Sequence, residues 1–254
     1  MLDIVPFIDN IIFLALFILS IFFFIKNLRK IIHNIGMGKP LNRSNNKLER
    51  LKTMIRVALG QSKMTTRPIA AILHLIVYLG FVIINIELLE IIIDGIFGTH
   101  RCFSFLGVGY GFLIGSFEIL AFLVLVACVL FLIRRNLMKI KRFWNDEMKG
   151  WPTSDANMIL IFEILLMSAF LLMNAADYQL QLNGHIKYHQ SSGIIGAFPI
   201  SAYIPLELIK NDNTLVFVER FCWWFHIVGI LGFLNYLVIS KHLHIIFAFP
   251  NTYF

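Results

Sequence analysis

The chain has 254 residues, 58% of them hydrophobic, with a mean hydropathy of +0.77 and 25 phenylalanines. That is more apolar surface than a soluble domain buries, so a soluble globular fold is excluded and an all-α integral membrane protein is expected. The net charge of +7 is read as membrane topology and anionic-lipid contact rather than nucleic-acid binding.

About 20 apolar residues cross the hydrocarbon core as a helix. Five segments qualify and predict five transmembrane helices in a single membrane domain, at about 8–26, 68–94, 105–133, 156–177 and 219–248. The alternating ten-residue strands of a barrel are missing from the pattern. After the first segment, "NLRKIIHNIGMGKPLNRSNN" carries the Gly, Pro and Asn of turns. The next stretch, "KLERLKTMIRVALGQSKM", repeats Leu48, Leu51, Ile55 and Leu59 at helical spacing among Lys and Arg. It predicts a basic amphipathic segment over about 45–64, lying on the cytoplasmic membrane face. The connection after the third segment includes "RFWNDEMKGWP", where Trp144 and Trp151 suit the interfacial belt and Pro152 comes before the fourth helix. Residues 178–218 are long for a bare connection and predict an outer loop with a lid or binding role.

Orientation follows from the basic residues. Residues 26–67 hold 11 of them, 134–155 hold 6, and Lys241 follows the fifth helix, which puts 18 of the 22 on one side. Arg101, Lys187, Lys210 and Arg220 remain for the other. The N-terminus is therefore expected outside and the C-terminus in the cytoplasm. Asp3 and Asp9 precede the first helix without a basic run, so that helix does not read as a signal peptide. Cys102, Cys128 and Cys222 are isolated, and an iron–sulfur cluster takes about four thiolates, so no cluster is expected within this chain.

Histidines within membrane helices default to a functional reading. In "RPIAAILHLIVYLG", His74 lies about two turns into the second helix; His226 falls in "CWWFHIVG" and His244 in "ISKHLHIIFAFP". The last two are 18 residues apart, a whole five turns, so on one continuous helix both rings share a face about 27 Å apart along the axis. His242 faces the other way on such a helix. His74 and His244, at one depth near the same end, suit the two faces of a haem iron, with the propionates directed to Lys63, Arg67 or Lys241. His226, placed near the outer edge, suits a second haem, with His100 in "FGTHRC" as first choice for its partner. His185, His189, Met167 and Met173 are weaker candidates, more simply explained by solvation or packing. Glu87, Glu90, Glu118, Glu163, Asp94 and Asp177 lie at depth or at helix ends, and interhelical hydrogen bonding competes with a proton path or a quinol-facing base. No catalytic residue is assigned.

On these residues the chain resembles the di-haem b cytochrome family of the nitrate reductase gamma subunit, in which helix five carries two haem-ligating histidines at the interval of His226 and His244. His74 matches one of that family's helix-two ligands, while Ile84 stands in the place of the other. The stretches "NRSNNKLERLKTMIRVALGQSKM", "INIELLEIIIDGIFGTHR", "GWPTSDAN" and "SKHLHIIFAFPNTYF" look like the membrane region of bacterial heterodisulfide-reductase-related iron–sulfur-binding proteins. The resemblance implies a multi-pass protein of the bacterial inner membrane that holds one or two haem b groups. It would move electrons between a menaquinone-like pool and a cytoplasmic iron–sulfur partner. The competing expectation is a haem-free membrane anchor or transporter-like scaffold, whose imidazoles only satisfy neighbouring carbonyls.

Overall fold

The computed structural model describes residues 5–39, 45–64, 66–138, 140, 143–188 and 193–254. Its elements are helices, with no strand among the described residues: α1 (Val5–Gly36), α2 (Lys47–Met54), α3 (Pro68–Phe97), α4 (Val108–Leu132), α5 (Trp151–Leu182), α6 (Asp212–Leu237) and α7 (His244–Tyr253). Wider turns at Ile55–Leu59 and Ile133–Leu137 prolong α2 and α4. Five of the helices are long and apolar enough to cross a membrane: α1, α3, α4 with its extension, α5 and α6. The molecule is a multi-pass membrane protein. One end gathers the described residues of 37–67, 133–150 and 238–254, and with them most of the described Lys and Arg; below it is the basic end. The other gathers 98–107 and the described residues of 183–211 around Arg101.

Burial is arranged for lipid. Ile11, Ile18, Phe22, Ile69 and Ile72 are exposed along the spans, whereas Glu118, Asn174, Asp177 and His226 are interior. Within hydrocarbon a polar group needs a protein partner, so polar side chains turn inward and apolar ones outward. α5 packs most extensively on α6, and α4 lies between α3 and α5. α1 closes the bundle against α3 and α6 through Asn10 Nδ2 to the Gly95 carbonyl (2.8 Å) and Ser20 Oγ to the Leu231 carbonyl (3.0 Å). Gly80 lets α3 approach α4, because a Cβ there would lie 2.4 Å from Val124 Cγ2.

The last span differs from the expectation of a helix over 219–248. α6 begins earlier, at Asp212, where the Asn211 side chain accepts the Asn213 N–H, and it stops at Leu237. Ser240 is extended (φ −102°, ψ 170°) and accepts the His242 N–H at 3.1 Å. Asp155, buried in the first turns of α5, accepts the Lys241 N–H at 2.9 Å and the Tyr236 hydroxyl. These acceptors satisfy N–H groups that a continuous helix would have used, so the chain turns a corner and restarts as α7. The five-turn argument linking His226 to His244 therefore does not describe this chain. With 14 residues of α6 before it and 11 after it, His226 also lies at mid-helix rather than near the outer edge.

The amphipathic segment does form a helix at 47–54. It packs on α7, and Arg50 Nη1 donates to the Tyr253 (3.1 Å) and Phe254 (3.2 Å) carbonyls. A cation at these carbonyls caps the α7 C-terminus. Leu48, Leu51 and Ile55 remain exposed on its apolar edge. The long loop of 178–218 begins later than expected, since α5 runs to Leu182. Ile195 N–H bonds Gln181 Oε1 (2.6 Å), while Ile200 and Ser201 N–H groups bond Glu118 Oε2 at 3.0 and 3.1 Å.

Candidate functional site

Between α3, α5 and α6, closed at the basic end by the 238–243 corner and α7, lies a cavity of about 320 Å³. Its walls are largely apolar and include Val77, Ile84, Leu88, Leu160, Met167 and Ile230. On α3 the lining runs from His74 to Ile91, which at 1.5 Å per residue is about 25 Å, most of the hydrocarbon thickness. Four imidazoles line it, those of His74, His226, His242 and His244, together with the carboxyls of Glu87 and Glu163.

The rings are held in a definite way. His226, 3% exposed, has Nδ1 3.1 Å from the Leu166 carbonyl, and His244 has Nδ1 2.7 Å from the Lys241 carbonyl. A carbonyl only accepts, so each Nδ1 carries a hydrogen, and in the neutral tautomer Nε2 is the nitrogen with the lone pair. This is how ligating histidines are oriented, with the second nitrogen tied to a carbonyl and the first left for the metal. His74 Nδ1 is buried without a hydrogen-bond partner. An orphaned imidazole nitrogen on the same cavity lining as two oriented ones fits a haem iron or another metal-centred group.

His242, expected on the far side of a continuous helix, lines the same cavity. Its ring lies 5.3 Å from Phe233 and 5.8 Å from His244, centroid to centroid. Burial, then the neighbouring His244 ring, pushes its pKa down to about 4, so it stays neutral at pH 7. The corner set by Asp155 and Ser240 brings both His242 and His244 to the cavity lining, His242 partly buried and His244 exposed.

His100 is placed elsewhere. Its Nε2 is 3.8 Å from Asp177 Oδ2 and its ring meets Tyr188 edge-on at 4.9 Å, away from the cavity lining. The structure does not bring it to His226. His185 packs on the other side of Tyr188 at 5.4 Å, and His189 lies outside the described residues. Of the methionines, Met167 lines the cavity and Met173 is core.

Four of the six deep carboxylates have ordinary partners. Glu90 accepts the Phe103 N–H (2.9 Å) and the Tyr110 hydroxyl (2.9 Å), and Asp94 accepts the Arg101 and Cys102 N–H groups at 2.8 and 3.1 Å. Glu118 accepts Asn174 Nδ2 at 3.1 Å, and Asp177 pairs with Arg101 at 2.6 and 2.5 Å. Glu87 and Glu163 face the cavity instead.

Arg101 is the residue that sequence reading missed. Counted there as one charge of an outer loop, it is 6% exposed and reaches Asp177, Tyr110 (3.1 Å) and Asn174 (3.1 Å), with Phe198 under its guanidinium at 5.4 Å. Burial disfavours its charge, but Asp177 and Tyr110 outweigh that and hold the pKa well above the ordinary value. Nearby, burial followed by the Asp94 and Glu90 carboxylates pushes the Cys102 thiol up to about 12. The one sequence cue was a cation two residues after the helix-ending "GT", close enough to fold back on α3.

Fold and site together define an all-helical, multi-pass membrane protein with a histidine-lined cavity between its spans. In sequence it is similar to the probable iron-sulfur-binding oxidoreductase FadF of Bacillus subtilis (strain 168), 26% identical over 247 residues. The match covers 97% of this chain and 32% of that relative, so the chain spans about a third of the relative's length. No family model matches, and no solved structure does. The relationship supported is with iron–sulfur oxidoreductase-associated proteins; the resemblance to the nitrate reductase gamma subunit has no counterpart in these comparisons.

Proposed function

We propose that the chain is the electron-transferring membrane subunit of a quinone-linked oxidoreductase. In this reading it is a b-type cytochrome of the bacterial inner membrane, serving a menaquinone-like pool and a cytoplasmic iron–sulfur protein. The observation that carries the reading is the convergence of imidazoles from α3, α6 and the α7 corner on one apolar cavity, with Nδ1 of His226 and His244 already tied to carbonyls. Similarity to a relative named as iron-sulfur-binding supports the soluble partner.

His74 and His244 would hold the haem at the basic end, and Lys63, Arg67 and Lys241 lie in sequence beside that end to receive its propionates. When bound, haem supplies one-electron transfer. The chain's own residues orient and enclose: the Lys241 carbonyl fixes the His244 ring, and Val77, Leu160 and Phe233 keep water from the wall. His226 presents Nε2 at mid-depth, but no other imidazole of the lining comes from that part of the bundle, and the reading commits to one haem. A cytoplasmic basic end follows from the charge bias of the loops.

The test is a pyridine haemochrome count on purified, haem-replete protein. One haem b per chain is expected, lost in His74→Ala and His244→Ala and retained in His226→Ala. Colourless protein, or full haem content in both of the first two variants, refutes the assignment.

A further inference from the structure

Glu87 is, among the described residues, the one carboxyl of the cavity lining with a buried oxygen that lacks a hydrogen-bond partner. The residue is 4% exposed, it lines the cavity, and its Oε2 is buried with no hydrogen-bond partner. A carboxyl left unpartnered in an apolar wall carries a heavy desolvation cost unless something in the cavity donates to it or it holds a proton. Its surroundings are graded. Toward the basic end the lining on the same helix is mostly apolar, with Ile84, Phe81, Gly80 and Val77, and Asn85 and Tyr78 are its polar members before His74. Toward the Arg101 end, Glu90 lies one turn on, the neighbour position on a helix face, and is bonded to the Tyr110 hydroxyl. Arg101 Nη1 donates to that same hydroxyl at 3.1 Å. Glu87 thus stands where an apolar chamber meets a buried polar network that reaches the end of the bundle.

We propose that Glu87 is the proton-accepting residue for a hydroquinone bound in the cavity, and that the proton leaves through Glu90 and Tyr110 toward the Arg101 end. An apolar ring bearing hydroxyls matches a chamber with largely apolar walls and an unfilled carboxylate acceptor at Glu87. Oxidation of a hydroquinone breaks two O–H bonds and yields the quinone, two electrons and two protons. The electrons go one at a time to the acceptor of the preceding reading, on which this step rests. The protons also leave one at a time: each converts the Glu87 carboxylate to the acid and passes on by exchange with Glu90, so Glu87 is protonated and emptied twice per hydroquinone. Arg101 does not relay it, because a guanidinium does not deprotonate; its positive charge stabilises the carboxylates that form as the proton moves on. With the Arg101 end outside, electrons and protons part to opposite sides of the membrane.

The test is infrared difference spectroscopy of the full chain in nanodiscs, with menadiol, a short naphthohydroquinone, as the probe. Addition of menadiol should perturb a carboxylic C=O band that shifts in D₂O and is missing in Glu87→Gln, an isosteric variant. Haem reduction by menadiol should slow by about 10²-fold in Glu87→Gln and recover in part in Glu87→Asp, at unchanged haem content. A carboxyl band that does not respond to menadiol, or that persists in Glu87→Gln, overturns the proposal. The infrared readout needs no haem, so colourless protein would refute the cytochrome reading while the band still decides the role of Glu87.

Discussion

Replacing Arg101 by Met removes a charge that three buried side chains depend on. Asp177 would lose contacts of 2.6 and 2.5 Å, and Tyr110 and Asn174 one donor each at 3.1 Å. Breaking a buried pair on one side leaves an uncompensated charge and costs about 3–5 kcal/mol. At about 2–4 °C per kcal/mol for a chain of this size, the midpoint of thermal unfolding should fall by about 6–20 °C. Arg101→Lys keeps the charge but not the fork that spans Asp177, Tyr110 and Asn174 together, and should fall between. Arg101→Met combined with Asp177→Asn removes both charges and should recover several degrees over the single variant. The assay is tryptophan-fluorescence or scattering-detected melting in one detergent. An Arg101→Met midpoint within 2 °C of the parent (about one half to 1 kcal/mol) would refute the network as a stabilising element, as would a double variant no better than the single.

Other expectations follow from the same geometry. Gly80→Ala places a Cβ 2.4 Å from Val124 Cγ2 and should cost about 1–3 kcal/mol by pushing α3 off α4, with recovery in the Val124→Ala background, read by melting. Asp155→Ala strips acceptors from Lys241 N–H and the Tyr236 hydroxyl, so the corner should loosen by about 1–2 kcal/mol. Faster amide exchange at 241–244, with α4 unaffected, is the readout. Cys102 should resist maleimide at pH 8, because a thiol with its pKa near 12 is about 0.01% thiolate there; its rate should climb with pH and rise in Asp94→Asn, which removes a carboxylate that opposes the thiolate.

Sequence patterning was enough for the spans because lipid imposes a simple rule: each crossing must be long, apolar and helical. Each of the five expected segments overlaps an observed span, though α1, α5 and the start of α6 extend further, the third begins three residues before α4, and the fifth runs past the end of α6 into α7. Those extensions carry polar residues such as Asn34 and Gln181, which hydropathy discounts and which tertiary partners or helix continuity accommodate. His74, His226 and His244 could be picked out as imidazoles in apolar runs. Their meeting in one cavity could not be derived from helical periodicity, since α6 and α7 are separate helices.

That break is the clearest case of tertiary structure deciding what local sequence leaves open. "LVISKHLHIIF" is apolar enough to continue as a helix, and the buried carboxylate of Asp155, 85 residues upstream of Ser240 in the chain, captures the Lys241 N–H and turns it, with Ser240 taking the His242 N–H. The same holds for Arg101. Its type and position were plain in the sequence, but its burial depends on Asp177, Asn174 and Tyr110 arriving from two other helices. Composition determined that this chain lives in a membrane as a helical bundle, because apolar length is a property of each segment alone. Which polar groups meet, which stay unpartnered like Glu87, and which end of the cavity gathers imidazoles were set by packing between distant segments, since a buried charge is tolerated only where its partner is brought to it.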